Sequence, residues 1–281
     1  MKTRRIEAGV GTGGLHEYRW ELLAEPEGHR VSVVGVCDMG VLGNAISRRD
    51  GIGRGVVLGD EERWFEPGER LVGGAGSWAV GATGFGEGGF QVFGAGDVFE
   101  LERPAGASEM DVDGVSTSGI AYGSVVIREL EVGAVWRDGQ CIVCADFIRV
   151  SAVRRDQGYL GRKGEGDWEV GETSDGSVVM IRDDGIFLVE GSGEMKELGV
   201  RGYRRLSVLG VGGRDRILGF GVTESGLVEH WVFELGLGIT VLTGQPIGAG
   251  VVIGEMGGIG ADGTMVGIAQ DGSERMIVRL F

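Results

Sequence analysis

Lysine, proline, cysteine and histidine are all scarce in this 281-residue chain, and each scarcity excludes something. There are only three lysines, Lys2, Lys163 and Lys196, and the formal net charge is −15. A nucleic-acid backbone is therefore not an expected partner, because phosphate binding draws on clustered Lys and Arg. The basic clusters are single pairs: Arg4-Arg5, Arg48-Arg49, Arg154-Arg155 and Arg204-Arg205. Three cysteines cannot frame a chain of this length with disulfides, and three histidines leave little for general acid–base chemistry except carboxylates. No apolar run approaches the 18 or so residues of a membrane helix, so a soluble chain without a membrane span is expected. MKTRRIEAGVGTGGL at the N-terminus has basic residues but no apolar signal core. That points to the cytoplasm, or to the outside of the cell if the sequence is a mature form.

Glycine is what the chain has in excess, at 58 residues, against four prolines. There is no Gly-X-Y period, so collagen is excluded, and Val, Ile, Leu, Trp and Phe lie between the glycines throughout, which argues against disorder. Glycine costs about 1 kcal/mol against alanine inside a helix, so helix has little room. Many short strands joined by tight turns remain.

A repeat organises them. RVSVVGV at 30–36 matches RLSVLGV at 205–211, and each is followed by a glycine-bearing apolar stretch, VLGNAI at 41–46 and RILGFGV at 216–222. Taking the apolar-apolar-Gly step as anchor gives Gly43, Gly81, Gly123, the corresponding Met180, Gly219 and Gly267, spaced 38, 42, 57, 39 and 48 apart. These spacings centre on the 40–50 residues that a four-stranded propeller blade consumes. An aromatic or branched strand follows each anchor, as in FQVF, GAVW and HWVFEL. The expected fold is all-β: a single-domain, monomeric β-propeller of six blades, each of about four strands. Its units run roughly over 30–68, 69–106, 107–160, 161–201, 202–246 and 247–281, the last completed by 1–29.

Asp-Gly dipeptides supply the positive-φ geometry of two-residue hairpins, and those at Asp113, Asp138, Asp175, Asp184, Asp262 and Asp271 fall between apolar runs. Gln140 to Gln157 reads as strand followed by loop. Residues 17–22 alternate charged and apolar side chains, and the last unit lacks an outer strand of its own. An N-terminal strand at 18–22 would close the ring and remove an exposed edge.

Ser118-Gly119-Ile120-Ala121-Tyr122-Gly123 leading to Ala134-Val135-Trp136 recurs as Asp262-Gly263-Thr264-Met265-Val266-Gly267 leading to Met276-Ile277-Val278. Over about 30–281 the chain thereby resembles the HAF-repeat proteins, a bacterial group. That resemblance implies a repeat fold and transfers no catalytic residue.

Candidate sites are few. Gly9-Val10-Gly11-Thr12-Gly13-Gly14 satisfies G-x-G-x-x-G, and Asp38 follows an apolar run 24 residues beyond Gly14. Through AGVGTGGLHEYRWELLAEPEG and VVGVCD, segment 4–38 is similar to the opening of the glucose-fructose oxidoreductase and inositol dehydrogenase family. This resemblance implies NAD(P) bound by Gly11, Gly13 and Asp38. Cys141 and Cys144, with Cys37 and one of His16, His29 or His230, could complete a zinc site, although on a strand the two sulfurs fall on opposite faces. Glu109-x-Asp111-x-Asp113-Gly114 mimics the opening of a calcium loop, with Asp111 and Asp113 as ligands, but Ile120 stands where the bidentate Glu belongs. The leading functional expectation is a binding scaffold for a protein or glycan, without a cofactor. The alternatives are the NAD(P)-dependent oxidoreductase and a carbohydrate-active propeller, hydrolase or lyase.

Overall fold

The computed structural model describes residues 5–10, 15, 18–84, 89–94, 96–182, 185–248 and 250–281. The N-terminal strands are β1 (Arg5–Val10) and β2 (Arg19–Ala24). The first sheet follows, β3 (His29–Cys37), β4 (Gly40–Ser47), β5 (Gly53–Leu58) and β6 (Arg63–Trp64), and then the second, β7 (Arg70–Ala75), β8 (Trp78–Ala82), β9 (Phe90–Phe93) and β10 (Val98–Glu100). The third comprises β11 (Ala107–Val115), β12 (Ala121–Ile127), β13 (Leu130–Arg137) and β14 (Gln140–Cys144). A fourth, six-stranded sheet holds β15 (Arg149–Val153), β16 (Tyr159–Arg162), β17 (Trp168–Glu172), β18 (Val178–Arg182), β19 (Gly185–Val189) and β20 (Met195–Glu197). The fifth holds β21 (Tyr203–Gly212), β22 (Arg216–Thr223), β23 (Val228–Glu234) and β24 (Gly238–Val241). β25 (Val252–Ile259), β26 (Met265–Asp271) and β27 (Glu274–Leu280) form the sixth with β2 and β1. The chain is an all-β, six-bladed propeller.

Every sheet is antiparallel, the sixth pairing β27 with β2, and β3, β7, β11, β15, β17, β21 and β25 touch in series, with β25 against β3 closing the circle. Each of these seven strands carries a β-bulge at the same register. The bulged residues are Val34, Val72, Asp113, Ser151, Val170, Leu209 and Gly257. The residue after the bulge is glycine in six strands and Ala152 in β15. Close approach demands this: a Cβ on Gly258 would stand 2.9 Å from the Cα of Gly35. Gly43, Gly81, Gly123, Gly219 and Gly267 pair with the residue just before the bulge. A Cβ at Gly123 or Gly267 would collide with the carbonyl of Asp111 or Glu255.

The fourth sheet departs from the plan. β15 and β16 repeat the bulge and the anchor, here Gly161 opposite Val150, but lack third and fourth strands of their own. β15 instead packs on β12 and β13 as the first strand of a following blade does, and β16 joins β17 only at Arg162 and Trp168. Gly161 splits the spacing of 57 between anchors Gly123 and Met180 into 38 and 19. A boundary at 160 falls inside β16, and the expected loop within 140–157 contains β15.

β2 sits between β1 and β27, register Trp20 opposite Leu280, and supplies the closing strand. Alternation puts Trp20 and Leu22 in a core with Leu218, Val232, Met256 and Met276, all 6% exposed or less. Polar ties fix the seam. Tyr18 Oη donates to Glu234, and the Arg216 guanidinium reaches Glu234 at 3.3 Å and stacks on the Tyr18 ring. Arg279 meets Glu21 at 3.2 Å, and Glu25 accepts from the Val31 N–H and from Arg48.

Candidate functional site

The register that repeats the bulge also repeats a solvent-facing position two residues before it. Ser32, Arg70, Asp111, Arg149, Trp168, Ser207 and Glu255 occupy it, all exposed or half-buried. Arg70, Arg149 and Trp168 open their strands, whereas Ser32, Asp111, Ser207 and Glu255 stand further along theirs. Arg70, Asp111 and Arg149 are contributed by three successive first strands and border one cleft of about 800 Å³ between the second and third sheets. Arg103, Glu109 and Glu131 complete its charged lining. Phe90, Met110 and Val126 supply apolar surface, with the hydroxyls of Ser108 and Ser124 among them.

Arg149 organises one wall. Its Nε and Nη2 donate to both oxygens of Asp113, Nη2 also donates to Asp111, and Nη1 donates to Glu131 at 3.1 Å. Ser124 Oγ donates to the same Glu131 oxygen at 2.7 Å. The carboxylates of Asp113 and Asp111 hold the guanidinium firmly protonated against its partial burial. Burial pushes the Asp113 carboxyl above its usual range, opposed by Arg149 and reinforced by Asp111 and Glu131. Next along the ring, Trp168 Nε1 donates to Ser151 Oγ, leaving the indole 37% exposed. Arg103, in the link between β10 and β11, donates from Nη1 to the Ser108 carbonyl of β11 at 3.4 Å. Arg70 has no hydrogen-bonding or ionic partner among the described residues.

The acidic motif at 109–114 is thus a strand, not a cation loop. Residues 109 and 111 both lie within β11, where alternation can mimic the every-other-residue ligands of a calcium loop. Asp113-Gly114 is the bulge of β11 rather than a hairpin turn. What Asp111 and Asp113 share is a guanidinium.

The other sequence-level candidates do not converge on this cleft. Gly11, Gly13 and His16 lie outside the described residues, as does the Asp184 turn. Gly9 lies in β1 opposite Trp20, and a Cβ there would come within 2.7 Å of the indole. β1 and β2 form an antiparallel hairpin on the edge of the last sheet, not the strand–turn–helix of a dinucleotide site. Asp38 lies in the turn after β3, at the far end of the first strands, and accepts from Ser77 Oγ at 3.0 Å. There it borders a separate hollow of about 280 Å³ with Asp262 and Arg279. Among the described residues, this segment therefore presents strands of the last and first sheets.

Cys37 is buried between the first and second sheets, whereas Cys141 and Cys144 lie on β14. Burial pushes the Cys141 thiol up to about 11 and raises Cys37 and Cys144 as well, so all three favour the thiol over the metal-binding thiolate. His29 packs against Trp64, and His230 lies beside Phe220 and Thr243. Among the described residues no three His, Cys, Asp or Glu side chains are grouped to hold a metal.

Comparison with known proteins places the chain only broadly. It is similar in structure to a streptogramin B lyase, at 12% identity and a TM-score of 0.37, over 94% of this chain and 98% of that one. It is also similar to a subtype N11 neuraminidase-like protein of A/flat-faced bat/Peru (H18N11), at 13% identity and a TM-score of 0.44, over 99% and 95%. No protein-family model and no curated protein matches the sequence, so the HAF-repeat and oxidoreductase resemblances rest on their short motifs alone.

Proposed function

We propose that this chain is a binding scaffold that takes a hydroxyl-rich ligand, of the glycan kind, in the cleft between the second and third sheets. One observation carries the reading: a cleft of about 800 Å³ on a rigid ring of bulged strands is lined by three arginines, three carboxylates and two serines. Such a surface offers donors and acceptors in alternation, which suits hydroxyl groups, each able to donate and accept at once. Phe90, Met110 and Val126 give it the apolar surface that the C–H face of a sugar ring requires. Apart from Arg103, strands position the charged lining residues, so little ordering free energy is spent on binding.

A glycan array probed with the intact chain and with Ser108→Trp tests the reading. Ser108 is exposed and lines the cleft, so the indole should fill the cleft without disturbing the fold. Retention by the unaltered chain and its loss in Ser108→Trp, with an unchanged circular dichroism spectrum, is expected. Absence of retention, or retention that survives Ser108→Trp, overturns the assignment.

A further inference from the structure

The two walls of the cleft differ in their unspent charge. On the third-sheet side, one guanidinium is shared among Asp111, Asp113 and Glu131, so carboxylate is in excess and each oxygen keeps lone pairs for further donors. On the second-sheet side, Arg70 is exposed with no ionic partner among the described residues, and Arg103, in the link between the two sheets, donates to the Ser108 carbonyl. Among the described residues, two guanidiniums thus stand without carboxylates, in a chain of net charge −15.

We infer that the ligand is a sugar acid, a glycan unit carrying one carboxylate beside free hydroxyls; this rests on the cleft being the binding site proposed above. Arg70 and Arg103 would receive the carboxylate, since guanidinium presents a planar fork of N–H donors matched to it. Hydroxyls on the body of the sugar would donate to Glu109, Asp111 and Glu131. A neutral sugar leaves both arginines unused. A polyanion meets the excess carboxylate around Arg149 and is repelled. An ammonium-bearing ligand suits the acidic wall but places its charge across the same cleft from Arg70 and Arg103.

The decisive experiment is an array in which each hexuronic-acid-bearing glycan is paired with its methyl-esterified counterpart, read with the intact chain, Arg70→Gln, Arg103→Gln and Ser108→Trp. Both arginines are exposed, so their variants should fold. The free acids should be retained and the esters lost. Each arginine variant should weaken retention about tenfold or more, because a charge-assisted pair is at stake. If acids and esters are retained alike and only Ser108→Trp abolishes binding, the sugar-acid assignment falls while the cleft remains the site. If nothing is retained, or Ser108→Trp retains everything, both fall together.

Discussion

Two places break the regularity of this propeller, and they are opposites. At the closing seam, β2 brings Trp20 and Glu21 into the last sheet with Tyr18 just before it, and the charges there are sunk among side chains: the Arg216 side chain is 5% exposed and that of Glu25 6%. At the β15–β16 hairpin, the chain inserts two strands with the bulge and anchor of a blade but no outer strands, and Arg149, 26% exposed, faces a cleft with its carboxylates half in water. Sealing the ring needs burial, because an open sheet edge would otherwise remain. Presenting a ligand site needs charge held in place by neighbouring charge yet left wet. The first irregularity closes the ring, and the second borders the proposed ligand cleft.

Paired substitutions sharpen that contrast, beginning with the largest effect. Trp20 is 4% exposed in the core that joins the fifth and sixth sheets. Trp20→Ala should cost about 3–5 kcal/mol in urea unfolding. Trp168→Ala, at a 37% exposed indole beside the hairpin, should cost about 1 kcal/mol or less. Equal losses would mean that the hairpin also holds the ring together.

Next come the arginines. Arg216→Ala strands Glu234 at a buried seam and should cost about 3–5 kcal/mol, the usual result of breaking a buried pair. Arg149→Ala leaves three carboxylates together, but all three are at least 31% exposed, so about 1–2 kcal/mol is expected, reduced by screening. If Arg149→Ala proves the more damaging in thermal unfolding, the charge cluster is a structural lock and its link to the cleft weakens.

Much of the architecture could be read from the sequence because it is local. An anchor glycine sits on the second strand of each regular blade but the fourth, where Met180 stands, and Asp138-Gly139 makes its hairpin with positive φ at both residues. The alternation of 17–22 correctly announced the closing strand. The hairpin at 149–162 escaped because no aromatic third strand follows Gly161, the feature by which units were recognised. A second signal was present: an apolar residue, any residue, then glycine or alanine, at 33–35, 71–73, 112–114, 150–152, 208–210 and 256–258. Reading back from it reaches Arg70, Asp111 and Arg149, the heart of the cleft. Asp113-Gly114 was misread for a physical reason, since Asp-Gly favours turns and a bulge equally tolerates glycine. Which carboxylates Arg149 would gather depends on sheet-on-sheet packing between strands 38 residues apart, and no local pattern encodes that.

The smallest expected effect separates Asp113 from Asp262 by sign. Burial raises the folded-state value of Asp113, against the pull of Arg149. As pH falls from that raised value toward the ordinary 3.8, the folded state takes up the proton first, so this carboxyl makes the protein more stable relative to its unfolded form. Asp262, beside the smaller hollow, behaves in reverse. Burial pushes it up, but the Thr264 N–H and hydroxyl outweigh that and leave it below 3.8. Its contribution is complete above 3.8 and is lost as pH falls through the lowered folded value. Urea unfolding between neutrality and pH 3 should therefore show Asp113→Asn losing stability faster than the unaltered chain as pH falls, and Asp262→Asn losing it more slowly. Parallel pH curves for the two variants would mean that the pull of Arg149 outweighs burial at Asp113, and the guanidinium would then be spent on this carboxylate rather than available to a ligand.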